Sequence, residues 1–282
     1  MTDTAAQPRR WLITGVSSGL GRALAEHVLA RGEVVVGTLR KADQLSAFAA
    51  LAPGRAIPLK LDITDDAAGR AAEGAAAEAG GVDVLVNNAG YSLMGAIEDI
   101  SLAEARREME TNFFGAMKVT QAVLPHMRAQ GHGRIINNTS VAAVVGFPMN
   151  GLYAASKAAL SGFSEALAAE VGRFGIRVTI IEAGGFRTEF GAGSLVWAER
   201  TSPDYAQAVA GFKERMAGFA KAAANDPRKG AAAIAALADL DEPPLHLTLG
   251  ADGYKLVTGA LQSRLSEYER LADFAAHTAY DG

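Results

Sequence analysis

Seven short β-branched runs alternate along this chain with segments whose apolar residues recur at helical spacing: Trp11–Thr14, Glu33–Thr38, Ala56–Leu61, Val82–Val86, Arg134–Asn138, Arg177–Glu182 and Leu245–Leu249. Parallel strands cannot be joined by a two-residue hairpin; each needs a crossover of a dozen or more residues, usually a helix. The alternation therefore predicts an α/β fold, a Rossmann-type doubly wound parallel sheet of about seven strands. Leu20, Leu24 and Val28, and again Met109, Phe113 and Met117, step by four, which predicts one sheet-facing stripe on each of two helices. No Pro- or Ser-rich linker interrupts the first 185 residues, so residues 1–282 read as a single domain. Residues 186–225 break the rhythm with glycines and bulky apolar side chains, the pattern of a lid over a cleft. Gly191, Gly193 and Gly218 would lower the cost of opening it.

Composition excludes several kinds of chemistry. Without cysteine there is no disulfide, thiolate metal site, iron–sulfur cluster or cysteine nucleophile. The five histidines are dispersed with no ligand spacing, so no metal site is expected. A formal charge of -4 with scattered basic residues argues against nucleic acid as a partner. The first ten residues lack the apolar core of a signal peptide, and no later run is apolar for long enough to span a membrane. The expectation is a soluble cytoplasmic protein without a membrane partner.

The first strand runs into Thr14-Gly15-Val16-Ser17-Ser18-Gly19-Leu20-Gly21, which opens a helix. Glycines at such a turn let backbone N–H groups approach a pyrophosphate, whose charge the helix N-terminus also favours. The spacing is G-x-x-x-G-x-G rather than G-x-G-x-x-G, and a glycine-rich connection without ligand stays open at this point. After the second strand, where an NAD site would place an acid on the ribose hydroxyls, the chain has Arg40 and Lys41. Two cations there suit a ribose 2′-phosphate, so NADP(H) is expected over NAD(H), with NAD(H) as the alternative; the plainer reading is a solvated basic pair.

Tyr153 and Lys157, four apart, share one helix face. An ammonium beside a phenol favours the phenolate and would bring its high pKa toward neutrality, which makes Tyr153 a candidate general acid/base. Ser140 ends the fifth strand, and Asn87-Asn88-Ala89-Gly90 ends the fourth, at the carboxyl edge where open parallel sheets bind ligands. Asn112 is a polar residue on an otherwise apolar stripe: a satisfied core amide or part of a relay. Phe147, Met149, Trp197, Phe212, Met216 and Phe219 fit an apolar pocket wall and core or lid packing equally well.

Taken together, the turn at 14–21, Asp62 with Ile63 after the third strand, Asn87-Asn88-Ala89-Gly90, Asn112, Ser140 and Tyr153-x-x-x-Lys157 resemble the short-chain dehydrogenase/reductase family over about residues 10 to 190. Pro243 to Gly250 and the helix beyond resemble its hydroxysteroid- and retinol-dehydrogenase-like branch. The resemblance implies an oxidoreductase interconverting a ketone or aldehyde and an alcohol. Tyr153 would move the proton, Ser140 would bond the substrate oxygen, Asn112 would anchor a relay water, and Lys157 would hold the nicotinamide ribose. Gly15, Ser17, Ser18, Gly19, Leu20, Gly21, Asp62, Ile63, Asn88, Ala89, Gly90, Gly184 and Thr188 would line the cofactor cleft. It also implies a homodimer or homotetramer paired through the helices beginning near Ser101 and Gly151, to which Leu160, Phe163 and Leu167 would offer apolar surface. Where the family carries Pro-Gly, this chain has Ala183-Gly184, so the loop is expected to be more mobile. A non-catalytic NADP sensor, and an epimerase or dehydratase of related fold, are the competing classes; the first has no need of Ser140, Tyr153 and Lys157 together.

Overall fold

A computed structural model of the chain describes residues 7–188, 194–277 and 280. Strands β1 (Arg10–Ile13), β2 (Val34–Leu39), β3 (Ala56–Lys60) and β4 (Val84–Asn87) alternate with helices α1 (Gly19–Ala30), α2 (Leu45–Ala49) and α3 (Ala68–Glu78). A short strand β5 (Ser92–Met94) precedes α4 (Leu102–Met109) and α5 (Gly115–Gln130). Then come β6 (Gly133–Asn138), α6 (Gly151–Val171), β7 (Ile176–Ala183), β8 (Leu195–Trp197), α7 (Pro203–Ala222), α8 (Pro227–Leu237), β9 (His246–Leu249), α9 (Ala251–Arg270) and α10 (Ala272–Ala276).

Seven strands form one parallel sheet in the order β3-β2-β1-β4-β6-β7-β9, a Rossmann-like single domain. All seven expected strands are present, with ends moved by a residue or two. The two-residue period of a strand divides the core between the faces: Trp11 and Ile13 pack with Leu24, Val28, Phe48 and Ile234, whereas Leu12 packs with Leu85, Val123, Met127 and Leu167. Strand order reverses between β1 and β4, and their carboxyl ends splay there into a crevice.

Three expectations about side-chain direction need correction or completion. Leu24 and Val28 face the sheet as read, with Leu20 packed at their margin. Met109, Phe113 and Met117 do not face it; each is only half-buried. The inward stripe of this region is polar instead: Glu104, Glu108 and Asn112, each one turn from the next, are buried. Between α4 and α5 the backbone takes a π-helical turn, Glu110–Phe114, whose extra residue rotates α5 relative to α4. Leu160 and Leu167 are buried against their own sheet, so they offer no surface to a second copy, and only Phe163 of that trio is partly exposed.

The segment after β7 is more built than an insertion. Its strand β8 pairs in parallel with β5, Ser92 with Leu195 and Met94 with Trp197. Buried Asp99 accepts from Ser202 N at 2.9 Å and from Arg200 Nε at 3.1 Å, and Glu104 Oε1 accepts from Glu199 N at 2.9 Å. Gly191, Gly193 and the Phe219 side chain lie outside the described residues.

Candidate active site

The turn after β1 is shaped by backbone that only glycine adopts without strain: φ is +73° at Gly15 and +63° at Gly19. Gly21 is required for a second reason. A Cβ there would lie 2.2 Å from Asn88 Nδ2 and 2.5 Å from Gly15 O, so α1 approaches the end of β4 only because the side chain is absent. Ser18 sits at the N-cap without a side-chain cap bond, leaving the first N–H groups of α1 for another acceptor. Ser17 and Leu20 flank that helix start.

Small polar residues staple the strand ends around this turn. Thr14 Oγ1 accepts from the N–H groups of Asn88 and Ala89 at 2.9 and 3.0 Å. Asn88 Nδ2 donates to the carbonyls of Thr14 and Gly15 at 3.0 and 3.1 Å, and its Oδ1 accepts from Asn138 Nδ2 at 3.1 Å. Three strands thus meet through one side chain. Deeper, Asn87 donates to Asn137 Oδ1 at 2.8 Å and Asn137 to Ser164 Oγ at 2.7 Å, an internal chain that fixes β4, β6 and α6.

Beyond the staple lies the cluster anticipated around Tyr153. Lys157 is buried, and its Nζ donates to Asn138 O at 2.8 Å. Asn112 Nδ2 donates to Tyr91 O at 2.8 Å and to Ser156 Oγ at 2.9 Å, while its Oδ1 accepts from Tyr91 N at 3.0 Å. Asn112 is therefore a buried, satisfied amide of the π-helical turn. Gly90 separates it from the lysine: a Cβ there would lie 2.9 Å from Asn112 Oδ1 and 3.4 Å from Lys157 Nζ. Ser140, buried at the end of β6, accepts from Ala142 N at 3.1 Å and hydrogen-bonds the Tyr153 phenol, with Lys157 Nζ 5.7 Å from that ring's centre.

Electrostatics in this cluster are set first by burial. Desolvation pushes the Tyr153 phenol up to about 12, against the opposing Ser140 hydrogen bond, and pushes the Lys157 ammonium down to about 8. Glu108, which the sequence reading passed over, is raised to about 7 by burial. The phenol lowered by its lysine is thus not what the chain alone shows; without a further positive charge, burial prevails. The missed signal was positional, since Glu104, Glu108 and Asn112 are one turn apart on one face.

The remaining expected positions fall along the same crevice with two exceptions in role. Asp62, after β3, accepts from Thr64 N and Oγ1 at 3.0 and 2.8 Å, while Ile63 is core, packed where Gly115 leaves room. Arg40 is exposed directly after β2. Thr188 lies beside the turn, its Cβ 3.8 Å from where a side chain of Gly19 would begin. The Gly184 loop is tied more firmly than the missing proline suggested. Gly184 N donates to Leu249 O at 2.9 Å, Gly185 N to Asp252 Oδ2 at 3.1 Å, and Asn225 Nδ2 to Gly185 O at 2.7 Å. Trp197 and Phe212 pack edge to face, 6.3 Å between ring centres, on the lid side. Among the described residues no cluster could hold a metal ion, and no helix is long and apolar enough to cross a membrane.

A glycine-rich turn at one end of a switch-point crevice and a Ser–Tyr–Lys–Asn cluster at the other are the arrangement expected of a Rossmann-type dinucleotide oxidoreductase. The chain belongs to the short chain dehydrogenase family, which matches residues 9–198. A short-chain dehydrogenase from Streptomyces avermitilis superposes with a TM-score of 0.88 at 39% identity, covering 98% of this chain and 100% of that one. One from Burkholderia cenocepacia, solved in complex with NADP, gives 0.70 at 26% identity, covering 94% and 97%. Human retinol dehydrogenase 8 is 42% identical over 193 residues, 66% of this chain and 61% of that protein, so the branch resemblance has a relative to rest on. The protein is a dehydrogenase/reductase of this family, and its cofactor is a nicotinamide dinucleotide.

Proposed function

We propose that the protein is an NADP(H)-dependent oxidoreductase that interconverts an apolar ketone or aldehyde and its alcohol. The observation that carries this reading is the convergence of Ser140, Tyr153 and Lys157 beside Gly90, with a buried ammonium that a protein without chemistry has no reason to retain. The residues present fit the cofactor. The glycine turn offers uncapped N–H groups for the pyrophosphate, Asp62 and Ile63 would take the adenine end, and Arg40 stands exposed for a 2′-phosphate. Asn88, Ala89, Gly90, Gly184 and Thr188 would line the nicotinamide end. A bound dihydronicotinamide supplies the hydride.

The chain's own groups handle the oxygen. Ser140 Oγ and the Tyr153 hydroxyl both donate to the substrate oxygen, and Tyr153 gives up its proton as the carbonyl carbon is reduced. Lys157 would hold the nicotinamide ribose and lends positive charge to the phenolate left behind, while Asn112, in the π-helical turn, would anchor a relay water for proton return. The packed rings of Trp197 and Phe212, together with likeness to retinol dehydrogenase 8, support an apolar substrate. Assembly as a dimer or tetramer across the α5–α6 flank belongs to the same proposal. A screen of ketones and aldehydes followed by NADPH absorbance tests it, run beside Tyr153→Phe: turnover with at least one apolar carbonyl, lost in the variant, is the expected result.

A further inference from the structure

The steps above leave one buried ionisable group without a task. Glu108 on α4 is fully buried, one turn before Asn112. Its Oε1 accepts from Leu93 N at 2.9 Å, whereas Oε2 has no hydrogen-bond partner among the described residues. A carboxyl placed so far from water is expensive unless it is neutral or faces a cation. The charged and titratable groups around it are few. Lys157 and Tyr153 stand on α6, where Ser156, next to Lys157, bonds Asn112 one turn after Glu108, and a Cβ at Gly90 would lie 2.9 Å from Asn112 Oδ1 and 3.4 Å from Lys157 Nζ; Tyr91 follows β4, and Glu104 and Arg107 belong to Glu108's own helix. Arg107 points outward to exposed Glu199 at 3.3 Å, and Glu104 is held by Ser101 in the capping box of α4. Lys157 is the buried cation of the set, and its Nζ donates to Asn138 O at 2.8 Å.

We infer that Glu108 is a positioning residue of the active site: its carboxylate is the internal counter-ion that keeps Lys157 an ammonium beside Tyr153. This rests on the catalytic reading above for its consequence, though not for its electrostatics. The two groups perturb one another in the required sense. Burial drives Lys157 down to about 8 and Glu108's charge opposes it; burial drives Glu108 up to about 7, opposed by the Leu93 N–H and then by Lys157's charge. The same negative charge also disfavours the Tyr153 phenolate, keeping the phenol loaded with its proton until reaction.

The sign is testable. Glu108→Gln keeps an acceptor for Leu93 N and the side-chain volume but removes the charge, so Lys157 should titrate lower by at least about half a pH unit. Lysine 13Cε chemical shifts followed across pH in the unliganded protein, with the Lys157 signal assigned by its loss in Lys157→Met, read this without any turnover. Under the catalytic reading, the alkaline limb of kcat/KM for carbonyl reduction moves down by the same amount. Glu108→Asp, which retains charge, should hold both near wild type. If Glu108→Gln does not fold, Glu108→Met set against Glu108→Asp gives the same comparison. Lys157 midpoints that agree within about 0.2 unit among charged and neutral variants overturn the counter-ion role. Midpoints that move while no carbonyl is ever reduced leave the counter-ion standing and sink the catalytic reading instead.

Discussion

At Tyr153, replacement by Phe keeps the ring against α6 and removes only the hydroxyl that Ser140 engages. Turnover should fall by the ~10²–10⁴-fold typical of a general acid while NADPH binding, measured by calorimetry, persists. The proton-holding form of Tyr153 is secured up to about 12, so the alkaline limit of reduction belongs to Lys157. An amine with a pKa lowered to about 8 is charged below that pH and neutral above it. A pH–rate profile of kcat/KM should thus hold level at neutrality and decline above about 8, and a profile flat to pH 10 would refute the assignment. Arg40 tests cofactor choice. A charge-assisted bond to the 2′-phosphate is worth roughly 1.5–3 kcal/mol, so wild type should bind NADPH about tenfold or more tighter than NADH, and Arg40→Ala should erase most of that gap. Equal wild-type affinities remove the preference. These side chains were legible because spacing or sheet position marks them: Tyr153 and Lys157 share a helix face, Ser140 ends a strand and Arg40 follows one. Glu108 was not, because a carboxylate among Arg106, Arg107 and Glu110 reads as part of a solvated surface, and only the packed helix shows which way it points.

Elements were legible to the extent that each carried its own period. The seven strands announced themselves because a sheet buried on both faces demands continuous β-branched runs. The β5–β8 pair did not, since three residues a side are too few to show a period. The π-helical turn was equally hidden; one extra residue swings Phe113 out and Asn112 in, and a pattern read at constant helical spacing chooses the wrong stripe. That hidden pair changes what the lid is expected to do. With β8 on β5, and Ser202 and Arg200 on Asp99, the part of the segment expected to open is α7 rather than its whole length. Asp99→Ala leaves the Ser202 N–H without its acceptor and frees the start of α7. Hydrogen exchange in α7 should accelerate, and KM for an apolar carbonyl should rise several-fold more than kcat falls. Unchanged exchange would show that β8 alone holds the lid.

The molecule as a whole leaves its largest open question on the flank of α5 and α6. Leu160 and Leu167 are buried within the subunit, so of the side chains the sequence suggested only Phe163 is left for pairing there. What the flank does present is an aromatic cluster: Phe114, 39% exposed, meets Phe113 edge to face at 5.0 Å, and Phe113 meets Phe163 at 6.0 Å. Aromatic rings left partly in water beside a helix face are the anchors that association between copies buries. A second apolar surface competes with it, because α9 keeps Leu261, Leu265 and Tyr268 exposed along one side. The two can be separated. Light scattering at micromolar concentration should give at least twice the 29.2 kDa chain mass for wild type. Phe163→Glu sets a charge within the aromatic cluster and should return the monomer with its helical content intact, whereas Leu265→Glu should leave the assembly whole. A wild-type monomer disproves assembly altogether, and a monomer from Leu265→Glu but not from Phe163→Glu moves the interface to α9.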